Sequence, residues 1–249
     1  EVSSGNRRHY SAEDIHNLRI LLEKTARKPG DYLPGRRAGD HLQIIGVMNF
    51  KGGSGKTTSS AHLAQRLALK GYRVLAIDLD PQASLTALHG VQPEFDLLDG
   101  GTLYDAIRYE DPVPMREVIR KTYFPNLDLA AAGLVLAEFE HETPRALHER
   151  REPMFFKRLG LAIDQVEADY DIVVIDCPPW MLRIASPSGV ISVLSNCSER
   201  TKAATAAAAA SGLLRPEGLI RRARQLPPGF RSVPPEPRRV VALMQPSDA

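Results

Sequence analysis

The sequence predicts an α/β fold built as a doubly wound parallel sheet, and three observations predict it. Aliphatic runs short enough for buried strands occur at 42–49, 73–79 and 171–176, the last containing Ile172-Val173-Val174-Ile175 without a break. Segments with helical spacing lie between them. The first run passes through a glycine-rich turn into such a helix, and the second run follows, which is the strand, helix, strand order of a parallel unit. A chain of 249 residues has room for one sizeable domain of this kind with a smaller appendage.

The elements follow in order. Residues 11–28 read as a helix, with Ser11 as N-cap and Asp14 in the acidic first turn. Ile15, Leu18, Ile20, Leu21 and Leu22 supply its apolar face, and Pro29-Gly30 ends it. Pro34-Gly35 and Gly39-Asp40 mark a linker that closes the 1–41 segment. After the strand at 42–49, a helix is expected over 57–70, where Ala61, Ala64, Leu67 and Ala68 recur at helical spacing and Gly71 stops the run. The strand at 73–79 comes next. Helices are expected at 102–109 and 114–123, a strand within 127–136, and a helix over 153–168 with Phe156, Leu159, Ala162, Ile163 and Val166 on one face. The strand at 171–176 completes the predicted domain, 42–180.

Beyond Pro178-Pro179 the texture changes. An alanine run at 206–210, many Arg, Ser and Pro, and only short apolar pieces such as 190–194 and 240–244 make 181–249 an atypical tail, expected not to pack as the rest does. Charge divides the same way. From Met181 onward nine Arg and one Lys face three Glu and one Asp, so a basic tail is hidden within a net charge of +2. Such a tail suits contact with nucleic acid or a solvated segment equally. Two cysteines, Cys177 and Cys197, without CxxC spacing or a histidine cluster argue against a disulfide framework or a zinc site. No run approaches the ~20 apolar residues of a membrane span, and no signal peptide opens the chain, so a cytoplasmic protein is expected.

Chemistry concentrates at Lys51-Gly52-Gly53-Ser54-Gly55-Lys56-Thr57-Thr58. The usual phosphate loop has Gly where Phe50 stands here, whereas a variant with a leading lysine fits. Gly52, Gly53 and Gly55 let the backbone wrap tightly, so that consecutive N–H groups of the loop, with Ser54 among its nucleotide-binding residues, face phosphate oxygens. The positive end of the following helix adds to the same field. Lys56 is expected to reach the β and γ phosphates, the Thr57 hydroxyl to ligate Mg²⁺, and Thr58 to bond the α phosphate. Asp78 and Asp80 stand at the carboxyl end of the second strand, where two carboxylates orient water or hold metal-bound water, or else cap the next helix. Asp176 ends the third strand as an acid expected near the Mg²⁺ shell.

The segments KGGSGKTT at 51–58, VLAIDLDPQAS at 74–84 and IVVIDCPP at 172–179 resemble the ParA/MinD superfamily of deviant Walker-A ATPases. Asp80-Pro81-Gln82, TLYDAIRYEDPVP and AEFEHETPRAL are similar to its ParA branch, particularly to the RepA partition proteins of RepABC plasmids. The resemblance covers about 7–179. It implies an ATP- and Mg²⁺-dependent ATPase of plasmid partition and autorepression. Such a protein dimerises on ATP, binds nonspecific and operator DNA at the nucleoid, and is stimulated by a ParB-type centromere-binding partner. It also implies that Lys51 crosses the dimer to the partner's nucleotide, that Lys56 and Thr57 are the P-loop lysine and magnesium ligand, that Asp80 positions the attacking water, and that Asp176 is the Walker-B acid. Asp78, beside Asp80, is grouped with Thr57 and Asp176 as a metal residue. Residues 7–37 resemble the end of a winged helix-turn-helix domain, with a dimerising or supporting helix as the alternative. The tail departs from the family pattern, which a reading-frame change in a GC-rich gene would explain. A non-hydrolysing, nucleotide-responsive operator-binding repressor, or an inactive partition-protein remnant, is the rival reading.

Overall fold

The computed structural model describes residues 9–37, 39–48, 53–98, 100–149, 155–178 and 239–244. Helix α1 (Ala12–Glu23) precedes strand β1 (Gln43–Met48), helix α2 (Lys56–Leu69) and strand β2 (Val74–Asp78). Short helices α3 (Ser84–Leu88), α4 (Pro93–Asp96), α5 (Leu103–Ile107) and α6 (Met115–Val118) lead into β3 (Ile119–Lys121) and β4 (Leu127–Ala130). Helices α7 (Leu136–His148) and α8 (Phe155–Asp164) precede β5 (Ile172–Asp176), and β6 (Arg239–Met244) comes last.

The six strands form one sheet in the order β3-β4-β2-β5-β1-β6, parallel throughout except for β3 at one edge. Strand side chains alternate between two apolar layers, as the period of 2 requires. Leu75, Ile77, Val173 and Ile175 pack with Leu103 and Ile107 of α5, Phe139 of α7 and Ile163 of α8. Val74, Ala76, Ile172 and Val174 pack on the opposite face with Ala61, Ala64 and Ala68 of α2 and Leu85 of α3. Helices cover both faces, so the doubly wound α/β architecture holds.

Several elements differ from expectation. α1 begins at the expected cap: Ser11 and Asp14 form a reciprocal capping box, with the Ser11 hydroxyl accepting from Asp14 N–H at 3.0 Å. It stops at Glu23, five residues early, because the Glu23 carboxylate accepts from the N–H groups of Gly30 (2.5 Å), Tyr32 (3.0 Å) and Leu33 (2.9 Å) and folds the chain back. Its apolar residues are not buried: Leu18 is 50% and Leu21 60% exposed. The helix instead uses polar groups: His16 Nδ1 lies 2.7 Å from Asn126 Nδ2 of the domain, and Arg19 donates to the Tyr32 carbonyl of the linker at 2.8 Å. The helix expected at 114–123 yields after one turn to β3, whose antiparallel pairing with β4 overrides local propensity. α8 ends at Asp164, ahead of a 3₁₀ turn at Glu167–Asp169. Residues 240–244, assigned to a tail outside the packing, lie in β6 and pair in parallel with β1 from Gln43↔Arg239 to Met48↔Met244. Among the described residues no helix is long and apolar enough to cross a membrane.

Candidate functional site

The carboxyl ends of β1, β5 and β2 lie side by side, which is where an open α/β sheet binds its ligands. Beyond β1 the described backbone resumes at Gly53, with Lys51 and Gly52 outside the described residues. Gly53 (φ +68°) and Gly55 (φ +78°) adopt the left-handed conformation, and Gly55 is the N-cap of α2. Glycine alone adopts that region without penalty, so the spacing of these residues follows from the turn. A 14-residue helix beginning at Lys56 points its positive end into the same space.

Several polar groups gather behind this turn. Lys56 is 8% exposed, and its charge favours the ionised form of Asp176. Asp176 at the end of β5 is 1% exposed. Its Oδ1 lies 3.0 Å from the Ser60 hydroxyl, with the Thr57 hydroxyl as a further polar neighbour, while Oδ2 is buried and has no hydrogen-bond partner. Burial pushes the Asp176 carboxyl above the ordinary aspartate value, and the Asp80 charge adds to this against Thr57, Ser60 and Lys56. The Ser54 hydroxyl is also buried without a partner. Orphaned buried oxygens of this kind call for an occupant. A hydroxyl beside one carboxylate, at a helix N-terminus, fits Mg²⁺ held jointly with phosphate oxygens. Among the described residues no three His, Cys, Asp or Glu gather as an all-protein cage would require.

Asp78 and Asp176 are register partners on β2 and β5, yet their surroundings differ. Asp78 is fully buried, and both of its oxygens are engaged. Oδ1 accepts from Asp80 N–H (3.1 Å), and Oδ2 accepts from the N–H (2.9 Å) and hydroxyl (2.8 Å) of Thr86. Both oxygens thus serve donors of the following loop, and the expectation that Asp78 is a metal residue draws no support from these contacts. Burial raises its carboxyl to about 7, against the pull of the Thr86 and Asp80 donors. Asp80 lies in that loop, half-buried, with Oδ1 accepting from Gln82 N–H at 3.0 Å and its carbonyl from Ala83 N–H at 2.8 Å. Ala83 is held at φ +53°, a conformation that a non-glycine residue adopts only when its surroundings impose it.

Thr57 and Thr58 open α2, the first half-buried and the second exposed. The sequence reading missed Ser60 and Thr86. Ser60 lies one helical turn beyond Lys56 on the same face, so the spacing itself was a usable signal. Cys177, next to Asp176, is buried, and burial pushes its thiol up to about 12, away from the reactive thiolate form.

The AAA_31 family model, an AAA domain, matches residues 42–192. The chain belongs to this family. It sits there among ParA/MinD-type proteins, as its relatives show. A "Putative replication protein A" of Rhizobium rhizogenes is 53% identical over 198 residues, covering 78% of this chain and 49% of the relative. One of the same name from Sinorhizobium fredii is 49% identical over 201 residues, with the same coverages. Protein SopA of Escherichia coli K12 is 35% identical over 172 residues, covering 68% of this chain and 42% of its own length. The chain thus spans about half the length of the curated relatives it matches. A plasmid partition protein from Borrelia burgdorferi is similar at 27% identity and a TM-score of 0.44, covering 56% of this chain and 57% of that one. The family match runs to residue 192, past Pro179, where the likeness was expected to break.

Proposed function

We propose that this chain is a Mg²⁺-dependent ATPase of plasmid partition. The observation that carries the reading is the unpartnered Oδ2 of buried Asp176, beside Thr57 and Lys56 at the N-terminus of α2. ATP with Mg²⁺ would supply the transferable phosphoryl group and neutralise charge on its oxygens. The chain's own residues would bind and orient. Gly52, Gly53, Ser54 and Gly55 would offer the main-chain cradle, and Lys56 and Thr58 would hold phosphates. Thr57 and Asp176 would hold the metal, and Asp80 would orient the attacking water. Positioning and charge stabilisation of this kind account for most of the rate gain in such reactions. Lys51 would add a cation from a second copy of the chain across an ATP-bridged dimer.

The names of the relatives support a role in replicon maintenance. We infer from that role DNA and a ParB-type protein as partners and a cytoplasmic, nucleoid-associated location. The test measures ATP hydrolysis of the purified chain with DNA and a ParB-type protein, alongside Lys56→Ala and Asp80→Ala. Weak basal turnover that rises with the partners and vanishes in both variants is expected. Equal turnover in all three proteins would overturn the assignment. Nucleotide binding with no turnover at all would favour the nucleotide-responsive repressor.

A further inference from the structure

We infer that Thr86 is a positioning residue for this reaction, holding the Asp80 loop in place through Asp78. The inference rests on the ATPase reading for its kinetic consequence but not for its geometry. Thr86 stands in the first turn of α3 and is fully buried. Its hydroxyl has two partners, and their chemistry fixes its direction. Ala132 N–H, 2.9 Å away, can only donate, so the Thr86 oxygen accepts there. The single hydroxyl proton is then left for Asp78 Oδ2 at 2.8 Å. Thr86 N–H donates to the same oxygen, and Asp80 N–H donates to Oδ1. Three donors converge on one carboxylate, and that carboxylate ties the backbone of Asp80 to the start of α3.

The other end of the relay is equally fixed. Ala132 follows β4, and the preceding Ala131 carbonyl accepts from Leu103 N–H of α5 at 2.8 Å. Ala131 and Ala132 are fully buried, so water cannot replace a lost partner. One hydroxyl therefore joins the ends of β2 and β4 to α3, and α5 is bound to the same turn. Valine has nearly the same shape as threonine but cannot make either bond. In Thr86→Val, Ala132 N–H is left unpaired and Asp78 loses one of two donors on Oδ2. The carboxylate that aims Asp80 is then less restrained. The phosphate turn and Lys56 lie on the β1–α2 side and keep all their contacts.

The test compares wild type, Thr86→Val and Thr86→Ser in three measurements: kcat for ATP, affinity for a fluorescent ATP analogue, and amide hydrogen exchange over residues 79–83. In Thr86→Val we expect kcat to fall by about tenfold to a hundredfold, the range for lost supporting hydrogen bonds around an active group. Affinity should be unchanged and exchange over 79–83 faster, and Thr86→Ser should restore all three. Affinity falling together with kcat, exchange unchanged in the valine variant, or failure of serine to rescue would overturn the inference. If the wild type itself shows no turnover, the ATPase reading fails while exchange still decides the positioning role. If Thr86→Val does not fold, Asp78→Asn keeps the Thr86 hydroxyl and should speed exchange over the same residues; unchanged exchange there would equally overturn it.

Discussion

Asp176 keeps one oxygen free because its other oxygen is held by a serine on the neighbouring helix. Ser60 is fully buried, and its hydroxyl lies 3.0 Å from both the Lys56 carbonyl and Asp176 Oδ1. Both partners accept, and one proton must serve them. A helical serine ordinarily turns to the carbonyl four residues back, so the second acceptor restrains the rotation of Asp176. Ser60→Ala should leave the fold intact but raise the Mg²⁺ concentration for half-maximal nucleotide binding by about tenfold. A Mg²⁺ titration against a fluorescent ATP analogue reads this directly, and an unchanged midpoint would remove Ser60 from the site. The glycine turn into α2 was legible in the sequence because its information is local: glycines at fixed offsets, a strand before and a helix after. The supporting hydroxyls were not. Ser60 meets a partner 116 residues away, and Thr86 meets one 46 residues away, so neither contact appears in a short window. Nor does an Asp-x-Asp pattern say which carboxylate turns inward. The strand's period of 2 sends Asp78 and Asp80 to the same side, and only the course of the loop separates their roles.

At the scale of elements, Asp171 ties the linker to the sheet. It accepts from Arg36 N–H (3.0 Å) and Arg73 N–H (2.9 Å), and it pairs with the Arg73 guanidinium at 2.8 Å. Asp171 is nearly buried, while Arg73 is about half exposed. Burial alone would raise the Asp171 carboxyl, but the Arg73 side chain and the two backbone donors outweigh it and hold the carboxyl below its ordinary 3.8. A carboxylate depressed in the folded state stabilises above its unfolded value and loses that contribution as pH falls through the folded one. Wild type should therefore weaken as pH drops below about 4, and Asp171→Asn should show a flatter profile there. At neutral pH the substitution should lower stability by about 1.5–3 kcal/mol, the range for hydrogen bonds to a charged group, as read by urea unfolding. Equal stability of the two proteins across pH would reject the anchor. Elements were legible where burial and periodicity agree, as in β1, α2, β2 and β5. α7 was not, since a proline at 144 argues against a helix interior that its remaining residues nonetheless sustain. The extent of α1 was hidden because a distant loop captures Glu23. Its apolar stripe misled because the packing uses His16 and Arg19 instead.

Across the whole molecule, strand order does what no single motif can. β1 and β2 are joined by α2 but separated by β5, so the turn after β1, Asp176 at the end of β5 and the loop that follows Asp78 of β2 come to lie at the ends of three neighbouring strands. That order follows from topology rules and burial on both faces, and it cannot be read from any one segment. It also gives β1 a demanding position, with β5 on one side and β6 on the other. The strand that feeds the phosphate turn is thus held on both flanks, and one flank comes from a segment whose composition suggested no packing. Deleting residues 239–249 should convert β1 into an edge strand, with a row of N–H and C=O groups left unpaired. Two effects should follow: a lower melting midpoint, and self-association seen by light scattering as exposed β1 edges pair between molecules. Weaker binding of a fluorescent ATP analogue should accompany them, because the turn proposed to cradle phosphate follows β1 in the chain. A truncated chain that melts, stays monomeric and binds the analogue as the intact one does would mean that β5 alone suffices to hold β1, and that the sixth strand contributes nothing to the site.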